Sequence, residues 1–303
     1  MLPERPSLAP VDANLKHLFS SWFNRGFLKL EEITRATSAD ILDRLIKYEA
    51  VHAIQGWDDL RGRLAPDRRC FAFFHPALPR EPLILVEVAL TRGLASEIGP
   101  LIGRVRDVGN PDQADTAIFY SISNCEPGLR GISFGSLLTR QVTDEVAARL
   151  PRIKTYATLS PMPRFAAWLR TKDDPNGLTE ARFERLLGKP SAEVRRSRES
   201  GRPPSSSLDP AMRLLGLAYL TRLSSGSRVI GPGGHFHSSN GARIERINPR
   251  ADASEGGRAS FSVMVNYRCD AALLEIAHEH YLETGRPAVA PALRAAMERI
   301  NAA

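Results

Sequence analysis

Residues 116–150 read TAIFYSISNCEPGLRGISFGSLLTRQVTDEVAARL. Ala117 to Ser123 is apolar, aromatic and partly β-branched, the composition of a buried strand. Gly128, Gly131 and Gly135 punctuate the turn that follows. From Ser136 onward Leu138, Val142 and Val146 recur at fourth positions, so one face of an α-helix is expected there. A glycine-rich turn running into a helix start leaves backbone N–H groups without intrahelical partners. Together with the helix dipole, that end suits a phosphate.

The spacing excludes two common phosphate binders. It is neither the dinucleotide pattern G-x-G-x-x-G nor a P-loop with its Lys-Ser/Thr. Arg130 to Gly135 is closer to the pyrophosphate loop of GNAT-type acyltransferases, which hold coenzyme A. An ordinary strand-to-helix turn is the plainer alternative.

The rest of the chain sets the context. Its 303 residues suffice for one large domain or two small ones, and 43% hydrophobic content supports a core. The longest apolar runs fall short of a membrane span, and the first residues lack the apolar core of a secretory signal. Cys70, Cys125 and Cys269 are scattered, which fits a reducing cytoplasm and gives no zinc spacing. The net charge of +7 suits an anionic small molecule, and no nucleic-acid module accompanies it. Arg195-Arg196-Ser197-Arg198 reads as a solvated loop.

In chain order, residues 1–14 read as a flexible leader and 15–66 as helical. Helices are expected over Leu15 to Gly26, after Ser38 through Ile41, Leu42, Leu45 and Ile46, and from Trp57 to Leu64. Strands are expected at Cys70 to Phe74, Leu83 to Thr91, Thr155 to Ser160, Ile244 to Ile247 and Phe261 to Tyr267. Glu87 lies inside the second of these, so it must be paired or face an open side. Further helices are expected over Leu94 to Arg104, Phe165 to Leu169, Pro210 to Thr221, 270–283 and 290–300. Residues 188–207 read as a mobile connector. The order of elements indicates an α+β, mixed α/β fold with a central mixed sheet flanked by helices.

Two spots offer chemistry. Ser160 precedes Pro161, which favours extended geometry and fixes the hydroxyl at a strand end; capping a turn is the competing role. His235 and His237 share a face if their segment is extended, which leaves catalysis, metal binding and structure open. His278 and His280 diverge on a helix, so a polar helix surface is the better reading.

Several stretches taken together resemble malonyl-CoA decarboxylases. They are Leu15 to Phe23 (LKHLFSSWF), Glu49-Ala50-Val51-His52, Arg68-Arg69-Cys70, Glu81-Pro82-Leu83 through Thr91, and Phe119 to Ser123. They continue with Gly128 to Gly131, Leu159 to Pro163, Met212-Arg213-Leu214, Phe236-His237, Asn240-Gly241-Ala242, Arg246-Ile247-Asn248 and Asn266-Tyr267. The resemblance implies a GNAT-like acyl-CoA-binding domain over 67–303, with 15–66 packed on it, that converts malonyl-CoA to acetyl-CoA and CO2 without a metal or organic cofactor. It implies Ser160 and His237 as catalytic and substrate-binding residues. It also implies Arg130, Gly131, Ile132, Ser133, Phe134, Gly135 and Ser136 as the loop that binds the malonyl-CoA phosphates. At Ser133 some relatives carry an acidic residue. Relatives also carry an N-terminal helical domain used in oligomer assembly; the chain begins too late to contain it, so a weakened homo-oligomer is expected. Neither nucleic acid nor membrane is an expected partner. An acyltransferase using the same loop, or a non-enzymatic acyl-CoA-binding module, are the alternatives.

Overall fold

The computed structural model describes residues 10–11, 14–15, 18, 27–103, 108–126, 135–171, 178–188, 192–200, 202, 205–221 and 232–302. The chain separates into two compact units: Met1–Leu90, Ile102–Asp112 and Ser121–Ile153 form the first, and Thr91–Leu101, Gln113–Tyr120 and Lys154–Ala303 the second.

The first unit is built on antiparallel pairing of β1 (Lys29–Ile33), β2 (Arg68–His75) and β3 (Leu78–Thr91). Helices α1 (Ala39–Tyr48) and α2 (Trp57–Arg63) precede β2. Leu42 and Leu45 of α1 join Ile33, Leu60, Cys70, Phe74 and Leu85 in one core. Ser38 stands at the N-cap of α1 but makes no side-chain cap bond. The segment expected to be helical thus also contains a strand: Lys29–Ile33 pairs along its whole length with β2, and its buried Ile33 joins the core.

Glu87 proves to be paired. Arg63 Nη1 donates to its Oε2 at 2.8 Å, and both side chains are buried. Arg63 also donates to Asp59 and to the His52 carbonyl. Burial pushes the Glu87 carboxyl up to about 8, against the opposing pull of Arg63. Nearby, Glu49 accepts from the Ser121 and Ser123 hydroxyls and from the Val51 and His52 amides. These bonds explain how acidic side chains are accommodated inside an apolar layer.

Strand β4 (Thr116–Asn124) and helix α4 (Gly135–Arg149) match the strand and helix of the opening stretch. Val142 and Val146 are buried as the spacing requires. Arg130, Gly131, Ile132, Ser133 and Phe134 lie outside the described residues; Gly135 and Ser136 open α4.

In the second unit the start of β4 pairs in parallel with β5 (Thr155–Thr158), from Thr116 opposite Thr155 to Phe119 opposite Thr158. Antiparallel pairs then link β5, β6 (Ser160–Pro161) and β7 (Arg243–Asn248) to β8 (Met264–Arg268). Parallel and antiparallel ladders together make the sheet mixed, with helices flanking it. Helices α5 (Phe165–Arg170), α6 (Glu180–Leu187) and α8 (Asp209–Thr221) share one core with this sheet. Tyr219 of α8 packs on Phe165 and Trp168, and its hydroxyl donates to the Pro163 carbonyl at 2.6 Å. That bond holds the turn after β6.

Three expectations in this unit are corrected. Among the described residues of the stretch read as a helix over Leu94 to Arg104, only α3 (Gly99–Ile102) is helical, because Arg246 and Asn266 take the Leu94 and Ala95 carbonyls; Arg104 lies outside the described residues. The connector read over 188–207 holds helix α7 (Ala192–Ser200). Arg198 is buried there: it donates to the Leu169 and Leu178 carbonyls and to Glu180, and its guanidinium lies 4.6 Å from the Phe183 ring centre. A polar composition concealed an arginine that serves as a core strut. The last strand starts at Met264 instead of Phe261, since Phe261 and Ser262 adopt positive φ. No helix among the described residues is long and apolar enough to cross a membrane.

Helix α9 (Pro232–Ser239) closes with a left-handed glycine. Gly241 has φ +77°, its N–H donates to the Ser238 carbonyl, and the Ala242 N–H reaches back to the His237 carbonyl. This is the Schellman arrangement. A Cβ at Gly241 would stand 2.1 Å from the Leu274 carbonyl oxygen. Gly241→Ala should therefore lower unfolding free energy by roughly 2–4 kcal/mol, measured by urea denaturation; a loss below about 0.5 kcal/mol would contradict this account of the helix end.

Candidate active site

Ser160 and His237 meet within the second unit. Ser160 Oγ lies 3.0 Å from His237 Nε2. Two local features bring them together. Strand β5 ends at Thr158, the Leu159 N–H still donates to Phe119 O at 3.0 Å, and Ser160 then pairs with Val265 of β8. Pro161 has no N–H to extend the ladder toward another strand. His237 sits in the last turn of α9, its carbonyl fixed by the Gly241 turn.

The segment that carries His235 and His237 is helical. Two residues apart on a helix, the rings point to different partners. His235 Nδ1 lies 2.8 Å from the Tyr281 hydroxyl, whereas His237 faces Ser160. The pairing of both imidazoles on one face, expected for an extended chain, therefore does not arise. His278, on α10 (Leu274–Thr284), donates from Nδ1 to the Ser239 carbonyl at 2.6 Å, so it caps the end of α9. His280 contacts Thr284 on the exposed side of its own helix.

Sequence reasoning missed the residues behind the pair. Thr158 and Ser160 share a face, two apart along an extended chain. Ser160 Oγ donates to Thr158 Oγ1 at 3.0 Å, and the Tyr267 N–H donates to the same oxygen at 3.3 Å. Asn266 is fully buried and uses both ends of its amide. Its Nδ2 donates to the Thr158 and Ala95 carbonyls, and its Oδ1 accepts from Asn248 and Arg246. The Tyr267 ring stacks on His237, with centroids 4.3 Å apart and planes 24° from parallel. Phe236 meets the same imidazole edge-on at 5.1 Å. The alternation Thr-x-Ser before proline was the available signal for Thr158; nothing in the linear sequence links it to Asn266.

This apolar setting governs the charge state. Burial pushes His237 down to about 3, because a desolvated imidazole resists protonation. His237 is thus neutral at physiological pH. The residue keeps a partly exposed edge, so the ring is shielded without being sealed off. The unfolded chain takes up this proton near the ordinary value of 6.5 and the native one does not. Stability therefore falls as pH drops from 6.5 toward 3. Relative to His237→Gln, the wild type should lose up to about 2 kcal/mol between pH 7.5 and pH 5, read by urea unfolding at the two pH values. An identical pH dependence in both proteins would contradict the neutral buried ring.

Comparison with known proteins adds to this geometry. Residues 26–303 match the family model described as the malonyl-CoA decarboxylase C-terminal domain. A curated relative, the mitochondrial malonyl-CoA decarboxylase of Anser anser anser, is 35% identical over 287 residues. The match takes in 87% of this chain and 56% of the relative, so the chain spans little more than half that protein's length. The crystal structure of malonyl-CoA decarboxylase from Rhodopseudomonas palustris superposes with TM-score 0.83 at 43% identity, over 97% of this chain and 72% of that one. The loading GNATL domain of CurA from Lyngbya majuscula superposes with TM-score 0.50 at 11% identity, over 80% of this chain and 98% of that domain, which shows the GNAT-like fold alone.

Proposed function

The chain belongs to the malonyl-CoA decarboxylase family, and from that membership we propose that it converts malonyl-CoA to acetyl-CoA and CO2. The observation that carries the reading is the 3.0 Å contact between Ser160 Oγ and His237 Nε2. In the proposed reaction the bond from the α-carbon to the carboxylate breaks. Its electron pair remains on the thioester as an enolate. One proton from the Ser160–His237 pair then forms the new C–H bond, with His237 as the proton source, and solvent restores it. The enolate oxygen needs hydrogen-bond donors, and each preorganised donor contributes about 3–4 kcal/mol.

The neutral imidazole supports this chemistry. Loss of CO2 removes the negative charge of the carboxylate. A cation beside that carboxylate would stabilise the substrate more than the transition state, which would slow the reaction. A desolvated, uncharged His237 avoids that penalty and still has an N–H to give. Ser160 is proposed to hydrogen-bond the malonyl group. The loop residues Arg130, Gly131, Ile132, Ser133, Phe134, Gly135 and Ser136 are proposed to bind the phosphates of coenzyme A, a role suited to a glycine-rich turn at a helix start.

The test is incubation of the purified chain with malonyl-CoA alone, following acetyl-CoA by mass. Acetyl-CoA should appear without any acceptor. Intact malonyl-CoA would overturn the proposal, as would turnover that begins only when an amine or alcohol is added. His237→Gln and Ser160→Ala should each reduce kcat by ~10²-fold or more. Arg130→Ala should raise KM by ~10-fold and leave kcat nearly unchanged, since a phosphate contact serves substrate and transition state alike. A fall in kcat with KM constant would contradict the role given to Arg130.

A further inference from the structure

We infer that Thr158 is a positioning residue that sets which atom of the Ser160–His237 pair carries the shared proton. The inference deepens the proposed decarboxylation and rests on it only for its effect on rate. It follows from the direction of the hydrogen bond between Ser160 and Thr158 and from the single proton of a serine hydroxyl. A serine hydroxyl has one proton. Ser160 Oγ gives that proton to Thr158 Oγ1 at 3.0 Å. The second contact of Ser160 Oγ, to His237 Nε2 at 3.0 Å, must then be made with a serine lone pair. Nε2 is the donor, and His237 holds the Nε2–H tautomer with Nδ1 free of a proton.

Thr158 is itself held in this accepting role. Its hydroxyl is buried, and the Tyr267 N–H takes one of its two lone pairs at 3.3 Å. The proton of Ser160 takes the other. The Thr158 carbonyl receives Asn266 Nδ2 at 2.8 Å, so the backbone that carries the hydroxyl is anchored by a side chain whose own amide is fully used. The segment Thr158–Ser160 is therefore preorganised from the β8 side. No rotation of Ser160 toward the histidine is needed to reach the working state.

The direction of this chain has a chemical consequence. A nucleophilic serine gives its proton to histidine, which must offer a bare nitrogen. Here the histidine offers N–H and the serine accepts. The pair is set to deliver a proton to a basic carbon and is not set to form an acyl-enzyme. Removing the Thr158 acceptor would free the Ser160 proton to turn toward Nε2, which would then lose its own proton to Nδ1.

The test reads the tautomer directly. Histidines are labelled with nitrogen-15 in wild type, Thr158→Val and Thr158→Ser. The His237 signals are identified by their loss in His237→Gln. In wild type near pH 7, Nε2 should resonate in the protonated, pyrrole-type range and Nδ1 in the pyridine-type range. Thr158→Val should exchange the two, whereas Thr158→Ser, which keeps the hydroxyl, should preserve the wild-type pattern. In parallel, Thr158→Val should lower kcat about tenfold or more with KM nearly constant, and Thr158→Ser should restore it to within about threefold. A merely structural threonine would shift melting temperature without exchanging the nitrogens. An unprotonated Nε2 in wild type, or an Nε2–H that persists in Thr158→Val, would overturn the inference. If Thr158→Val fails to fold, Thr158→Ala, which also removes the acceptor hydroxyl, is read in its place. A wild-type Nε2–H that Thr158→Val abolishes, in a protein that leaves malonyl-CoA intact, would uphold the role of Thr158 and refute the proposed function.

Discussion

The chemistry proposed for the second unit depends on one hydrogen bond made in a poorly solvated place. Ser160 and His237 are 77 positions apart, and only tertiary structure brings their side chains to 3.0 Å. Each end is set by a different backbone device. The serine is set where a strand leaves one neighbour and takes another at Leu159. The histidine is set by a helix terminus whose left-handed glycine admits no side chain. Both devices fix the backbone within a few residues of the side chain they present.

The surroundings then give that contact its chemical character. Stacking by Tyr267 and edge contact by Phe236 replace water around the imidazole and hold it neutral. The same low-dielectric setting makes an unpaired amide or hydroxyl costly, and Thr158, Asn248 and Asn266 behind the pair are accordingly joined by hydrogen bonds, whereas the Tyr267 hydroxyl has none among the described residues. Asn266 links β5, β8 and the Leu94–Ala95 segment through one amide group. The first unit solves a similar problem differently, using Arg63 to offset Asp59 and Glu87 within an otherwise apolar layer.

Much of the fold was legible in the sequence because its elements are locally consistent. The buried strand at Leu83–Thr91, the strand at Thr116, the helix from Asp209 and the pairing requirement of Glu87 all follow from residue type and spacing. Ser160 was readable through the proline after it. The helix that carries His235 and His237 was not legible, and only an extended segment was considered for them: that helix is secured by His278 and the Gly241 turn instead of by propensity. Arg198 was misread because composition cannot distinguish an arginine in solvent from one bonded to interior carbonyls. Thr158 and Asn266 were invisible as site residues, since their role exists only once β5, β8 and α9 are in place.

The central claim is that the serine and histidine act as one proton-handling unit. Groups that act as a unit lose their effect together, so their individual losses do not multiply. The direct measurement is a double-mutant cycle on acetyl-CoA formation with Ser160→Ala, His237→Gln and the combined variant. The account predicts that the double variant is no slower than about threefold below the slower single variant. Losses that multiply, leaving the double variant slower by the product of the two, would show that the two side chains work independently and would contradict it.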